Sequence, residues 1–588
     1  MTSPPASTVP TGGPARDAAR HLRTRLDAVR PRRRDLAAML RTPRRDVVAG
    51  VTVGVVALPL ALAFGIASGL GATAGLVTAV VAGTVAAVFG GSHVQVSGPT
   101  GAMTVVLVPI VAAHGADGVL VVGLMAGVLL VAMGLAGAGR YVRLIPLPVI
   151  EGFTLGIAAL IALQQVPAAL GLSASHEHVV ASAAAAVGEW FADPLLAPVA
   201  ISLGVGAAIL VLTRLRPAAP VALLAVIVAT ATVSLANLPV STIGALPERL
   251  FTPGLPSVTW SDLRVLAVPA VAVAALAALE SLLSATVADA MSVSTRHDPD
   301  RELFGQGLAN LAAPLLGGIP ATAAIARTAV NVRSGARSRL AAVVHSLVLL
   351  VVVLALAGVV SMIPLAALAG VLIATAVRMV EVSSLRALMR ASRSDAFVLG
   401  LTFLATVVLD LATAVVLGIV AAGGLALRQL ARTTVLHEED LRGHADESGA
   451  LPESADHDAE EVNLLHEHVV AYRLEGPLFF GGAHTALLGL TEVSDVRVVI
   501  LRMAHVTTLD ATGAAVLADT IRSLRSRGVT VLLSGVPERF VGRLIATGIH
   551  QDLVALHHVF DTTPEAITHA RRHVARDAHH ATGVTPGA

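Results

Sequence analysis

The 588-residue chain has no cysteine and no lysine; all 41 basic residues are arginine. Without cysteine there is no disulfide framework, no thiol nucleophile and no thiolate metal site. Charge is scarce, at 14% of residues against 55% hydrophobic, and mean hydropathy is +0.77. Apolar runs repeatedly reach the ~20 residues needed to cross a bilayer, which argues against a soluble enzyme and for a polytopic membrane protein. No cleavable signal peptide is evident, because the first 45 residues are polar and the first apolar run is of full length. A nucleophile–base pair, a Walker phosphate loop and a metal-ligand cluster are also missing, so neither catalysis nor coupling to ATP is expected.

What is present is a series of apolar runs. Candidate spans fall at 46–70, 72–89, 99–113, 118–137, 148–170, 194–214 and 218–236. A second set falls at 264–290, 303–317, 321–333, 341–362, 365–380, 394–411 and 412–430. Pro59 interrupts the first run, which a membrane helix tolerates where the freed carbonyl is buried or faces a cavity. With the N-terminus inside, loops after even-numbered spans hold arginines from Arg140 and Arg143 to Arg428 and Arg432, whereas the other loops hold only Arg249 and Arg264. The positive-inside rule then gives fourteen spans with both ends cytosolic. Residues 1–45 read as a basic cytosolic tail, with helical turns around 20–40. It suits a membrane surface, and having no aromatic stacking partners it is not expected to bind nucleic acid.

Two stretches break the apolar pattern. In 317–339, GGIPATAAIARTAVNVRSGARSR, a Gly-Gly-Ile-Pro break is followed by Thr322, Arg327 and Thr328. Pro320 suits the first turn of a helix, and small residues after it leave the first amides uncovered for an anion. Too few residues remain before Arg333, Arg337 and Arg339 for a full span, so the spacing predicts a half-helix starting inside the membrane. Its partner is 90–103, GGSHVQVSGPTGAM, where Ser97, Gly98, Pro99, Thr100 and Gly101 open a short apolar helix ending near His114. Asp46 and Pro99 are 53 positions apart, Asp262 and Pro320 58 apart. Broken helices at matching places in two halves point to a midplane transport site.

Charges within the spans are few. Glu280 lies mid-way along the eighth, where an ionised carboxylate costs at least ~2.5 kcal/mol. Ser284, four residues on, shares its helical face. An acid there either takes and releases a proton during transport or holds two helices together as an ion pair; the functional reading is preferred. Glu151 and Asp410, near span ends, read as interface or gating residues.

The motifs DVVAGVTVGVVALPLALAFGIASG, SGPTGAM, VIEGFTLGIA, ALESLLSATVADAM and GGIPATAAIARTAVNVRSGARSRL occur in this order across 46–431. Together they resemble the SulP (sulfate permease) family of anion transporters. The resemblance implies an α-helical polytopic fold of fourteen spans as a seven-plus-seven inverted repeat. A core domain (spans 1–4 and 8–11) would move against a gate domain (spans 5–7 and 12–14), usually in a homodimer. It places an anion between the starts of the third and tenth helices, with Ser97, Gly98, Pro99, Thr100 and Gly101 on one side. Thr322, Ala323, Ala324, Ala326, Arg327 and Thr328 lie on the other. Glu280 matches the position that serves cation coupling, where glutamate suggests protons; Ser284 falls where a sodium-coupled relative has a hydroxyl ligand. Ala326 stands where motor-like and chloride-permeable relatives carry serine, which weakens a chloride specialisation.

Beyond the last span the composition changes. Residues 437–462 hold ten acidic residues and one arginine, a self-repelling linker assigned to 432–464. His437, His444 and His457 within it are too irregularly spaced for a metal site. Residues 465–577 read as a small cytosolic α/β domain, with strands at 467–473, 496–502 and 529–533 and helices at 482–492, 511–527, 537–547 and 564–577. A disordered tail over 578–588 is expected. The turn Leu509-Asp510-Ala511-Thr512-Gly513, with LEGPLFFGGA at 474–483, resembles the STAS domains shared by SulP transporters and anti-sigma-factor antagonists. Asp510 and Thr512 are the candidate regulatory residues. Thr512 matches the antagonists' phosphoacceptor but is preferred as a helix cap.

The expectation is therefore a secondary carrier of small anions in the plasma (inner) membrane, working by alternating access with a proton, or sodium, as coupling ion and no other cofactor. Sulfate, bicarbonate and dicarboxylates are all compatible. An uncoupled channel or exchanger, a nucleobase-permease-like carrier and a regulator acting through a cytosolic partner of the STAS domain stand as alternatives.

Overall fold

The computed structural model describes residues 33–173, 178–216, 219–247, 249–254, 260–292, 296–409, 411–433, 435–439, 468–480, 483, 487 and 496–581. Two compact units divide at Val420. The first is helical: α1 Arg33–Met39, α2 Pro43–Ala67, α3 Gly71–Phe89, α4 Gly101–Ala136, a 3-10 segment Ala138–Leu144, α5 Leu147–Gln164, α6 Val166–Leu170, α7 Val179–Ala192, α8 Leu196–Leu215 and α9 Val221–Leu235. After these come α10 Trp260–Met291, α11 Pro299–Leu315, α12 Ile325–Arg333, α13 Leu340–Ser361, α14 Leu365–Met379, α15 Val382–Ala391, α16 Arg393–Val408 and α17 Leu411–Ala431, which runs across the division.

Among the described residues nine helical stretches are long and apolar enough to cross a membrane. Large apolar side chains such as Val211, Leu354 and Val359 point outward on them, as a lipid-facing surface requires. Helix α4 is two helices end to end. Gly115, at φ 62° and ψ −158°, breaks it, where the sequence places the gap between spans 99–113 and 118–137. Helix α7 is an addition to the expected set. Its alanine-rich VVASAAAAVGEWFA favours helix, but 14 residues are too few to span.

The helices pack in two groups. One joins α2, α3, α4, α10, α11, α12 and α13, and the other joins α5, α8, α14 and α16. Within the first group the halves of the chain brace each other. The Asp46 carboxylate of α2 accepts the N–H groups of Arg337 (2.7 Å) and Ser338 (3.1 Å), and Glu302 of α11 accepts those of Gly91 (2.8 Å) and Ser92 (3.1 Å). Asp35 of α1 forms a buried ion pair with Arg301 at 2.6 Å.

The second unit carries a sheet of order β3-β4-β5-β7-β8, with β6 pairing β4. Its strands are β3 Val435–Glu439, β4 Val469–Leu478, β5 Val498–Arg502, β6 Val506–Leu509, β7 Thr530–Ser534 and β8 Val559–Phe560. All pairs are parallel except β3 with β4. Helices α18 Ala511–Ser526, α19 Glu538–Ala546, α20 Ile549–Ala555 and α21 Thr563–Ala581 complete the unit. Strand β5 alternates, so Val499 and Leu501 face Leu517 and Ile521 of α18, while Val498 and Ile500 face Ala566 and Ala570 of α21.

Two expectations change. The stretch assigned to the linker contains β3, because Leu436 packs on the core and the strand pairs with β4. The last helix runs to Ala581, so residues 578–581 are helical and not tail. Linker residues 434 and 440–464, His444 and His457 included, lie outside the described residues, as do Asp410, most of the helix expected at 482–492 and residues 1–32 and 582–588.

Candidate functional site

The two interrupted stretches meet. Ser97–Gly98 (β1) and Thr322–Ala323 (β2) form an antiparallel pair, Ser97 opposite Ala323 and Gly98 opposite Thr322, and the N–H of Ala324 donates to the Val96 carbonyl at 3.0 Å. This pairing corrects the helix starts. Pro99 and Pro320 lie in extended lead-ins, and the helices begin at Gly101 and Ile325. Proline's preference for a first turn is local. Here it yields to a ladder between distant segments and to side chains that clamp the backbone extended. Asn310 of α11 accepts the Ala321 N–H and donates to the Ala321 carbonyl, both at 2.8 Å. The Thr78 hydroxyl accepts the Ile319 N–H at 2.7 Å, and Gln306 donates to the Ser97 hydroxyl at 2.5 Å. These supporting groups were missed at the sequence level. Gln306 and Asn310, polar in an apolar run and four apart, were the available signal.

The first turns point their amides into the junction. In α4 the first helical bond runs from Thr104 to Thr100, and in α12 from Thr328 to Ala324. The N–H groups of Gly101, Ala102 and Met103, and of Ile325, Ala326 and Arg327, therefore lack a helical acceptor, and neither start is closed by a capping side chain. Ile325 and Ala326 are exposed, Ala324 half-buried. The ends of two helix dipoles there favour negative charge.

Side chains link the two starts. Arg327, 2% exposed, donates from Nη2 to the Pro99 carbonyl at 2.6 Å, while its Nη1 is buried with no protein partner. Gly98 makes room for this guanidinium, since a Cβ there would sit 2.6 Å from Nη1. Thr100 donates to Glu280 Oε2 at 2.9 Å. Glu280 is half-buried, so the only carboxylate near mid-span of α10 sits beside the junction and is not sealed from it. Ser284 donates to the Thr328 hydroxyl at 3.2 Å, and that hydroxyl also accepts the Val96 N–H at 3.1 Å. Thr322 lies 3.0 Å from the Ser281 hydroxyl, and Ser281 also accepts the Ala323 N–H at 3.2 Å. Thr322, Thr328 and Ser284 are wholly or almost wholly buried and committed to the frame, whereas Ala324 is half-buried and Ala326 exposed.

Of the other singled-out residues, Glu151 accepts from the Ser384 hydroxyl at 2.7 Å, a link between α5 and α15. In the second unit the cap of α18 is Asp510 and not Thr512, which corrects the preferred reading. Asp510 accepts the Gly513 N–H at 2.6 Å and the Phe480 N–H at 3.2 Å. An aspartate one residue before the helix holds the N3 amide directly. Thr512 is left exposed on the first turn.

Two interrupted helices whose amide ends converge inside a helical bundle, beside a carboxylate, resemble the arrangement that transporters use to hold a substrate. Residues 44–402 match the sulfate permease family and residues 463–566 the STAS domain, so the chain belongs to the sulfate permease family. It is 36% identical over 531 residues to "Putative sulfate transporter YvdB" of Bacillus subtilis, covering 88% of this chain and 96% of that protein. It is 30% identical to "Bicarbonate transporter BicA" of Synechocystis, covering 85% and 89%. The solved transmembrane domain of a cyanobacterial bicarbonate transporter BicA superposes with TM-score 0.58 at 32% identity, over 65% of this chain and 98% of that one. The structure of SLC26A9, at 16% identity, shares the fold over 91% of both chains with TM-score 0.74. YvdB and BicA carry the names of transporters.

Proposed function

We propose that the chain is a secondary active transporter of a small oxyanion, coupled to protons through Glu280. It binds the anion between the first turns of α4 and α12. Converging amides and the Arg327 guanidinium provide the positive potential, and Glu280 takes up a proton beside them. The observation that carries this reading is the 2.9 Å hydrogen bond from Thr100 to Glu280. It ties the protonation state of the acid to the residue that opens α4. The names of the relatives favour sulfate or bicarbonate over a dicarboxylate. We read the helical segments as fourteen passages, in a homodimer in the plasma (inner) membrane with both termini cytoplasmic. The group containing α4 and α12 moves past the other in alternating access. The exposed Thr512 hydroxyl suits a regulatory role for the STAS domain.

The test is uptake of labelled sulfate, bicarbonate, succinate and fumarate into proteoliposomes, with and without proton and sodium gradients. Wild type should accumulate one oxyanion under an inward proton gradient. Glu280→Gln should abolish that accumulation and leave counterflow exchange. Concentrative uptake that survives in the mutant rejects proton coupling at this acid.

A further inference from the structure

In the second unit three histidines meet where strand β8 abuts helix α21. His558 directly precedes β8, and its backbone is fixed on both sides: the N–H donates to the Leu553 carbonyl and the carbonyl accepts from Leu533, each at 2.8 Å. His569 and His573 are four residues apart on α21 and so share a face. That helix is held in place by Ala566, Ala570 and Val574 packing on Val469, Ala471, Val498, Ile500 and Leu532. The three imidazoles lie with centroids 5.6, 5.6 and 5.2 Å apart, and one ligand nitrogen from each falls within 4.8 Å of the others. His558 is 9% exposed. His558 Nδ1 and His569 Nε2 are buried with no hydrogen-bond partner, which leaves each of these groups uncompensated for its lost hydration.

We propose that His558, His569 and His573 form a binding site for a borderline transition-metal ion, with zinc(II) as the representative. Three imidazoles with a fourth position open to water match a tetrahedral zinc site. Modest side-chain rotations bring the nitrogens to the ~3.3 Å separation set by Zn–N bonds of ~2.0–2.1 Å. No carboxylate takes part, and Arg525 and Arg572 lie close by, so neutral nitrogen donors select against magnesium and calcium. The bound ion would pin the carboxy-terminal helix to the edge strand of the sheet. This site is separate from the anion site and does not depend on the function proposed for it.

The experiment uses full-length protein in detergent, purified on a tag without histidine, stripped with chelator and titrated with zinc. One equivalent should bind, and cobalt(II) in its place should give the strong visible absorption of a tetrahedral site. His573→Gln and His569→Gln, at partly exposed helix positions, should each weaken binding at least about tenfold. A variant with glutamine at His444 and His457 should bind as wild type. Unchanged zinc affinity in both helix variants, loss of binding in the linker variant, or a weak octahedral cobalt spectrum in wild type would overturn the proposal. The cobalt spectrum needs no mutation, so a variant that fails to fold leaves the test intact.

Discussion

Arg327→Met separates a charge that binds anion from a brace that merely holds the fold. Methionine keeps much of the apolar stem and removes the guanidinium. Without ligand, the variant loses the 2.6 Å bond to the Pro99 carbonyl, a charged hydrogen bond of about 1.5–3 kcal/mol. It also sheds the buried Nη1 that has no protein partner, relieving about 1–3 kcal/mol. These offset, so thermal stability in detergent should change by no more than about 2 kcal/mol. In the proposed site the anion satisfies Nη1, so with anion bound there would be no offset. The loss of a charge-assisted contact worth about 1.5–3 kcal/mol weakens affinity about 10- to 150-fold. The assay is anion-dependent thermal shift together with equilibrium binding on the same preparation. Affinity within twofold of wild type refutes the reasoning, as does a collapse of stability with normal affinity in the folded fraction.

Asn310→Ala leaves both the N–H and the carbonyl of Ala321 without their 2.8 Å partners. At about 1–3 kcal/mol for each orphaned buried group, unfolding in detergent should come several degrees earlier and uptake should fall. Wild-type stability would show that Ala321 finds other partners. Asp510→Ala removes the acceptor for the Gly513 and Phe480 N–H groups and should cost about 0.5–2 kcal/mol. Faster hydrogen exchange across 511–516 reads this out, and Asp510→Asn should largely restore it. Unchanged exchange in the alanine variant removes the cap.

The two helix starts were legible because a bilayer makes their chemistry conspicuous. Proline, glycine, hydroxyls and a buried arginine are conspicuous in hydrocarbon, and two such stretches at matching offsets point to each other, as their pairing shows. Glu280 was legible on the same ground. The positions at which α4 and α12 begin were not. Pro320 carries a local signal for a first turn, but Ala321 to Ala323 are held extended by Asn310, Ser281 and Ser97–Gly98, groups remote in sequence. The duties of Thr322, Thr328 and Ser284 were hidden for a related reason. A hydroxyl near a predicted site reads as a ligand until its partner is known, and here the partners are Ser281, the Val96 amide and one another. In the second unit β3 was obscured by its acidic neighbours, although its Leu436 packs inward. Asp510 had been noticed, but as a motif residue and not as the cap it forms.

The β1–β2 pairing also limits how such a protein can change access. Parting the start of α4 from that of α12 would break the ladder, the Ala324–Val96 bond and the Arg327–Pro99 bond, and would strand each of these groups where no water replaces it. Such a step would cost several kcal/mol, at about 1–3 kcal/mol for each stranded group. The contacts between the two helix groups are of another kind. At Gly101 the neighbour that an added Cβ would meet across the groups is Ile161 of α5, an apolar side chain with no directional bond to lose. Sliding along such a surface exchanges one van der Waals contact for another. The low-energy motion therefore keeps both helix starts and Glu280 together and displaces α5 and its partners relative to them. Under the proposed coupling, the anion and the proton would then be exposed on the same side at the same moment, the condition such coupling requires.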